Sequence, residues 1–294
     1  MRTNKQIVAL LNLVDDPDAE VFDTVASRLL SYGKQIIPNL EQLWEVTENE
    51  DVQERIERLI HRALFTDLQE EFAQWANERS PSLLQGAILL AKYRYPELNV
   101  KLIQSQFEQM RRNIWLELNS YLTPLEQINV VNSILYNYYK LQGHEITERK
   151  PDYFFINVLL ESKQGNAYTL GVLFLALCEL LDVPVQAVPL PRQFVLAYFD
   201  SLYHFLSPEE EPVTQLQFYI DPVNGMVYTQ NDVDVYLKKI NAGKEEHFFQ
   251  PMNNQAVIAR MIQELATCYE YTNEQEKADE LKQLIQVVMK KAQD

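Results

Sequence analysis

Glycine is scarce in this chain, 7 of 294 residues, against a usual share of about 7%. That scarcity suits a mostly helical protein, because a helix needs left-handed backbone only at its ends. None of the glycines forms GxGxxG or GxxxxGK(S/T), so the common phosphate-cradling loops are absent. Metal-binding patterns are missing too. There is no HExxH, and His61, His144, His204 and His247 never fall at ligand spacing. Cys178 and Cys268 make neither a CxxC pair nor a disulfide framework. No metal and no cofactor is therefore expected. Two thiols in a long chain suit a reducing compartment, so the cytoplasm is the expected location. Long hydrophobic runs are absent as well. The N-terminus carries an apolar run of about seven residues and no small-residue cleavage site, so neither a signal peptide nor a membrane span is expected.

Positive charge is the other shortage. Lysine and arginine number 26 against 42 acidic residues, a net charge of −16. Binding a nucleic-acid backbone takes clustered cations that displace counterions. Here the cations are scattered, and Arg111-Arg112 is the densest pair. Neither nucleic acid nor an anionic membrane is an expected partner. At about 150 residues per domain, the length suggests roughly two domains.

What is present first is helix. After Asp15-Asp16-Pro17-Asp18, residues Val21, Val25, Leu29 and Leu30 recur at helical spacing, Gly33 can end that helix, and Pro38 opens the next. The pattern returns 31 residues on: Val21, Val25, Leu29, Ile37 and Trp44 match Val52, Ile56, Ile60, Leu68 and Trp75. Two helices per unit at about this period mark a helical solenoid. Residues 1–80 thus resemble HEAT repeats, with an unrelated helical bundle as the alternative.

In the middle, Ser80-Pro81 predicts a helix start, Pro96 opens another helix, and Thr123-Pro124-Leu125-Glu126 combines a cap, a first-turn proline and a capping-box glutamate. A short helix is predicted over 153–160. Gly165-Asn166 then precedes a helix over 168–181 that is apolar nearly all round and so belongs at a domain centre. Strands are predicted over 183–188, 193–199 and 217–220, the last closed by Asp221-Pro222. An acidic segment, Ser207-Pro208-Glu209-Glu210-Glu211-Pro212, reads as a solvated loop. Two helices, 253–271 and 273–292, close the chain. The fold class is α+β, mostly helical, with a small antiparallel sheet.

Several of these residues carry a resemblance. They are Tyr153 and Asn157, then Gly165-Asn166-Ala167, the helix through Cys178 to Leu181, Val183-Pro184, Pro191-Arg192-Gln193-Phe194, and Ile220-Asp221-Pro222-Val223-Asn224-Gly225. Their order and spacing resemble the transglutaminase-like fold, a papain-like cysteine-protease-type core. More closely they resemble the SirB family of bacterial transglutaminase-like proteins with a tetratricopeptide tail. The similarity covers about residues 82 to 290. The HEAT-like segment at 1–80 lies outside it, and the resemblance implies a transglutaminase-like domain at 81–245 and a tetratricopeptide-like hairpin at 246–294. No Gly/Ser-rich linker separates them, so the flanking helices are expected to pack on the middle domain.

Active transglutaminase-like enzymes open the central helix with a cysteine, place a histidine on the next strand and an aspartate on the one after. A helix N-terminus favours the thiolate, the imidazole takes or shares its proton, and the aspartate orients the ring. In this sequence the nucleophile position falls on Ala167 and the base position on Gln193, where the SirB pattern has Pro-Gly-His-Phe. Only Asp221 remains. The resemblance implies a relic site of Ala167, Gln193 and Asp221, with the Gln193 amide donating to an ionised, structurally useful Asp221 carboxylate. Cys178, about 16 Å along its helix, reads as an inert core thiol. The expected function is a non-catalytic interaction module with a protein or peptide partner. The alternative is a hydrolase or acyl-transfer enzyme with a displaced, non-thiol site using Asp221, for a hydrolase with His204 and a water.

Overall fold

The computed structural model describes residues 5–199 and 216–290. His204 and the acidic segment 207–212 lie outside the described residues. The chain divides into two compact units, Met1–Ala73 and Gln74–Asp294.

The first unit holds α1 (Lys5–Leu11), α2 (Ala19–Leu30), α3 (Ile37–Val46) and most of α4 (Glu50–Ala76). Asp18 caps α2, its carboxylate accepting from the Glu20 N–H at 2.9 Å. Gly33 turns the chain at φ +60°, and Pro38 sits in the first turn of α3. Val25, Leu29, Ile36, Leu40, Ile56 and Leu59 close a small core. The second copy of the 31-residue pattern differs from the expected helix pair. It is one continuous helix, α4, because no glycine or proline interrupts residues 50–76.

The second unit runs α5 (Leu83–Arg94), α6 (Val100–Glu117), α7 (Pro124–Asn132) continuing into a π-helical turn (Ser133–Tyr138), β1 (Gln142–His144), α8 (Ile156–Ser162), β2 (Gln164–Asn166), α9 (Ala167–Leu180), β3 (Val185–Val188), β4 (Val195–Phe199), β5 (Leu216–Ile220), β6 (Val227–Tyr228), α10 (Gln230–Lys239), α11 (Asn254–Tyr271) and α12 (Gln275–Met289). It is a mostly helical α+β fold. β1 and β2 form a short parallel pair, and β3-β4-β5-β6 an antiparallel sheet in chain order.

Local chemistry explains most boundaries. The Thr123 and Glu126 capping box forms as the sequence predicts. The start of α5 is later than Ser80-Pro81 suggests. The Trp75 indole donates to the Ser82 carbonyl and the Asn254 amide to the Pro81 carbonyl, so the chain stays extended until Ser82 caps the helix. Likewise Asn99, not Pro96, caps α6.

α9 is the centre of this unit. Every residue from Ala167 to Cys178 is buried, as the all-round apolar sequence requires. The sheet's other face is covered by α10, where Val233 and Leu237 meet Val195, Ala197 and Phe199. The C-terminal helices belong to this same unit. α11 lies so close to α5 that a Cβ on Gly86 would meet Ile258 Cγ1 at 2.8 Å.

Candidate functional site

The start of α9 is built by Asn166. Its buried side chain accepts the backbone N–H of Tyr168 at 2.9 Å and of Thr169 at 3.1 Å, which satisfies two of the helix's free donors. Ala167 follows as the first helical residue and presents a methyl group where a thiolate would gain from the helix dipole. Thr169 supplies the nearest hydroxyl, but it is buried and donates to the Tyr153 carbonyl.

The second wall is the turn before β4. Arg192 sits there in left-handed backbone, φ +59°. Arg260 braces the turn from α11, donating to the Leu190 and Gln193 carbonyls, each at 2.8 Å. Phe194 then drops onto α9. A Cβ on Gly171 would run into Phe194 Cε1, so only glycine allows this approach. The contact brings Gln193 to the mouth of the α9 start. The Gln193 side chain lies near the Tyr236 hydroxyl, which donates to the Pro191 carbonyl at 2.8 Å.

The third wall is the turn after β5. Asp221 Oδ1 accepts the Val223 N–H at 2.8 Å, and the Gly225 N–H donates to the Asp221 carbonyl at 2.8 Å. The π-helical turn beyond α7 clamps this loop from behind. Tyr136 donates its hydroxyl to the Pro222 carbonyl, and the Asn132 amide donates to the Gly225 carbonyl, both at 2.8 Å. Such turns recur at functional sites. β1 closes in so tightly that a Cβ on Gly143 would lie 2.5 Å from the Val223 carbonyl oxygen. Asp221 is half-buried. Burial pushes its carboxyl above the usual range, the Val223 N–H opposes that, and the charge of Glu145 adds to it.

Ala167, Gln193 and Asp221 all line one cavity of about 530 Å³. Gln193 and Asp221 stand at the ends of neighbouring strands rather than within them. The expected bond between them is corrected by the structure. Asp221 accepts from its own turn and has no hydrogen bond to Gln193, whose side chain lies near Tyr236. With no side-chain amide on it, the carboxylate has only the Val223 N–H to set against its burial cost.

The same cavity gathers residues that sequence reasoning passed over: His144 and Glu145 at the end of β1, and Tyr236 on α10. His144 stacks on Tyr153 with ring centroids 4.5 Å apart. Its Nδ1 is 2.9 Å from Glu148 Oε1, and its Nε2 is buried with no partner. The i, i+4 spacing of His144 and Glu148 is visible in the sequence, but β1 is too short to announce itself as a strand.

The two thiols stand apart from this cavity. Cys178 is fully buried in α9, and burial pushes its thiol up. It borders a second cavity, of about 620 Å³, whose lining holds no histidine. Cys268, in α11, is pushed up to about 11, again by burial. Among the described residues no group of three His, Cys, Asp or Glu side chains is placed to hold a metal ion, and no helix is long and apolar enough to cross a membrane.

Comparison with known proteins agrees with this architecture. The chain is 25% identical over 181 residues to the UPF0162 protein YchA of Escherichia coli K12, which covers 60% of this chain and 63% of that protein. It is 22% identical over 186 residues to Protein SirB1 of Salmonella typhimurium, covering 62% and 65%. A UPF0162 protein of Buchnera aphidicola from Schizaphis graminum is 22% identical over 184 residues, covering 62% and 64%. The chain thus spans a little under two thirds of the length of these curated relatives. No solved structure matches. The family profile of the transglutaminase-like superfamily matches residues 101–263, which takes in all three walls of the cavity. This chain belongs to the transglutaminase-like superfamily.

Proposed function

We propose that this protein is a non-catalytic member of its family that binds a polypeptide. The observation that carries the reading is the content of the cavity. The nucleophile position is the methyl of Ala167, and the base position is the amide of Gln193, which cannot take a proton near neutral pH. The thiols support the reading by their burial elsewhere, and the Thr169 hydroxyl by its bond to a backbone carbonyl. The HEAT-like helix pair α2 and α3 within residues 1–80 and the tetratricopeptide-like hairpin at 246–294 belong to the same proposal, as helical surfaces of the kind that bind polypeptide. Two unpaired cysteines suit a cytoplasmic setting.

A displaced hydrolytic site needs a histidine on Asp221. Among the described residues the Asp221 carboxylate accepts only the Val223 N–H, and His144 is engaged by Glu148. The test is amine incorporation into a glutamine-bearing protein, run with and without a thiol-alkylating agent. No turnover in either arm is expected. Turnover abolished by alkylation would overturn the proposal. Turnover that resists alkylation but is lost in Asp221→Asn would establish the displaced site instead.

A further inference from the structure

The cavity's polar lining is unbalanced in a particular way. Asp221 has one hydrogen-bond donor, the Val223 N–H, and no cation beside it among the described residues. Glu145, exposed at the rim, has neither a donor nor a cation on its carboxylate among those residues and faces Asp221 as a like charge. Glu148 is held as a carboxylate by its contact with His144, whose Nδ1 lies 2.9 Å away, and the Nε2 of that ring is buried without a partner. Asp232 also lines the cavity, with its carboxylate already accepting from Thr229. Among the described residues the carboxylates of Asp221 and Glu145 therefore have unmet acceptor capacity, beside a Tyr228 hydroxyl that has no partner among them. The hydroxyls of Tyr219 and Tyr236 are spent on Gln230 and Pro191. Among the described residues Arg192 is the one guanidinium on the lining, with its side chain exposed at the rim, and it and Arg260 both bear on Tyr236 rather than on Asp221.

In the family pattern an imidazole stands at the base position and can supply an N–H to the aspartate. Here Gln193 stands there without a hydrogen bond to Asp221, whose carboxylate accepts only the Val223 N–H among the described residues, so that donor is missing. The rest of the wall is aromatic and aliphatic: Tyr219, Tyr228, Tyr236, Leu190 and Val195. Aromatic faces beside an unpaired carboxylate favour a cation that carries N–H donors.

Building on the non-catalytic, polypeptide-binding reading, we propose that this cavity receives the cationic side chain of an arginine or lysine in a basic segment of a protein partner. The incoming N–H groups supply the donors that Asp221 and Glu145 lack, and the ring of Tyr228, beside Asp221, flanks the alkyl stem and the charge. The net charge of −16 favours the same class of partner from a distance.

The probes are the capped tripeptides acetyl-Gly-Arg-Gly-amide and acetyl-Gly-Lys-Gly-amide, titrated into the full chain and followed by amide chemical shifts. The controls are the citrulline and norleucine analogues, which keep each shape and remove its charge, and acetyl-Gly-Glu-Gly-amide. A basic probe should bind about tenfold or more tightly than its neutral analogue, with shifts at Asp221, Val223 and Tyr236. Asp221→Asn should remove most of that preference while keeping the turn bond to Val223. Glu145→Gln, on an exposed residue, should weaken it several-fold without any demand on folding. Equal binding of charged and neutral probes, preference for the glutamate probe, or no binding at millimolar concentration would overturn the inference. Those outcomes leave the non-catalytic reading standing, whereas turnover in the amine-incorporation assay removes that reading whatever the cavity binds.

Discussion

Asp221 allows a separation of charge from hydrogen bonding. Its Oδ1 caps a turn by accepting the Val223 N–H at 2.8 Å, while burial and Glu145 hold its carboxyl above the ordinary range. The substitution Asp221→Asn keeps the acceptor and removes the charge, whereas Asp221→Ala removes both. Asp221→Asn should therefore be at least as stable as the parent at pH 7. Asp221→Ala should fall about 1 kcal/mol below Asp221→Asn, the net worth of one turn hydrogen bond. In a unit of this size that gap is about 2–4 °C in Tm. The pH dependence has a definite sign. A carboxyl whose folded pKa is raised favours folding while protonated, and that contribution is lost as pH rises through the folded value. The advantage of Asp221→Asn over the parent should thus be full at pH 7 and vanish at pH 3, below the ordinary aspartate value of about 3.9. Thermal unfolding of the three proteins at both pH values is the assay. A parent more stable than Asp221→Asn at pH 7 would show a favourably paired, ionised carboxylate and refute the reasoning.

Two further outcomes follow from packing. Gly171→Ala should destabilise by about 1–2 kcal/mol in urea titrations. The helix-propensity gain is outweighed when the new Cβ runs into the Phe194 ring. An unchanged or raised midpoint would mean that the turn before β4 does not rest on α9. The thiols of Cys178 and Cys268 should react with a disulfide reagent at pH 8 only slowly in the folded protein and rapidly in denaturant, because burial pushes both up, Cys268 to about 11. Fast reaction of either in the native state would contradict the burial described.

The sequence made some of this architecture legible and hid the rest for physical reasons. The α9 helix was plain, because a buried helix is apolar all round and Gly165-Asn166 announces its start. The Thr123 box is local chemistry and is readable as such. Ala167, Gln193 and Asp221 could be placed by resemblance, and they line one cavity. The direction of the Gln193 amide could not be read, since Tyr236 lies 43 residues downstream on a helix that no strand pattern foretells. β1 and β2 were invisible because three-residue strands carry no alternation to detect. His144 and Glu145 were missed with them. The second HEAT-like unit was misread because apolar spacing repeats equally well along one unbroken helix as along two.

The central claim, that the vacated site binds and does not react, is tested most directly by intact-mass spectrometry. The full chain is incubated with a peptide carrying a glutamyl γ-thioester, an acyl donor that any residual nucleophile in the cavity would accept. The account predicts an unchanged mass for the parent, and no adduct on Ala167→Asn, a control that adds no nucleophile. A stoichiometric acyl adduct on the parent, mapped to the cavity and abolished by Thr169→Val or His144→Gln, would contradict it.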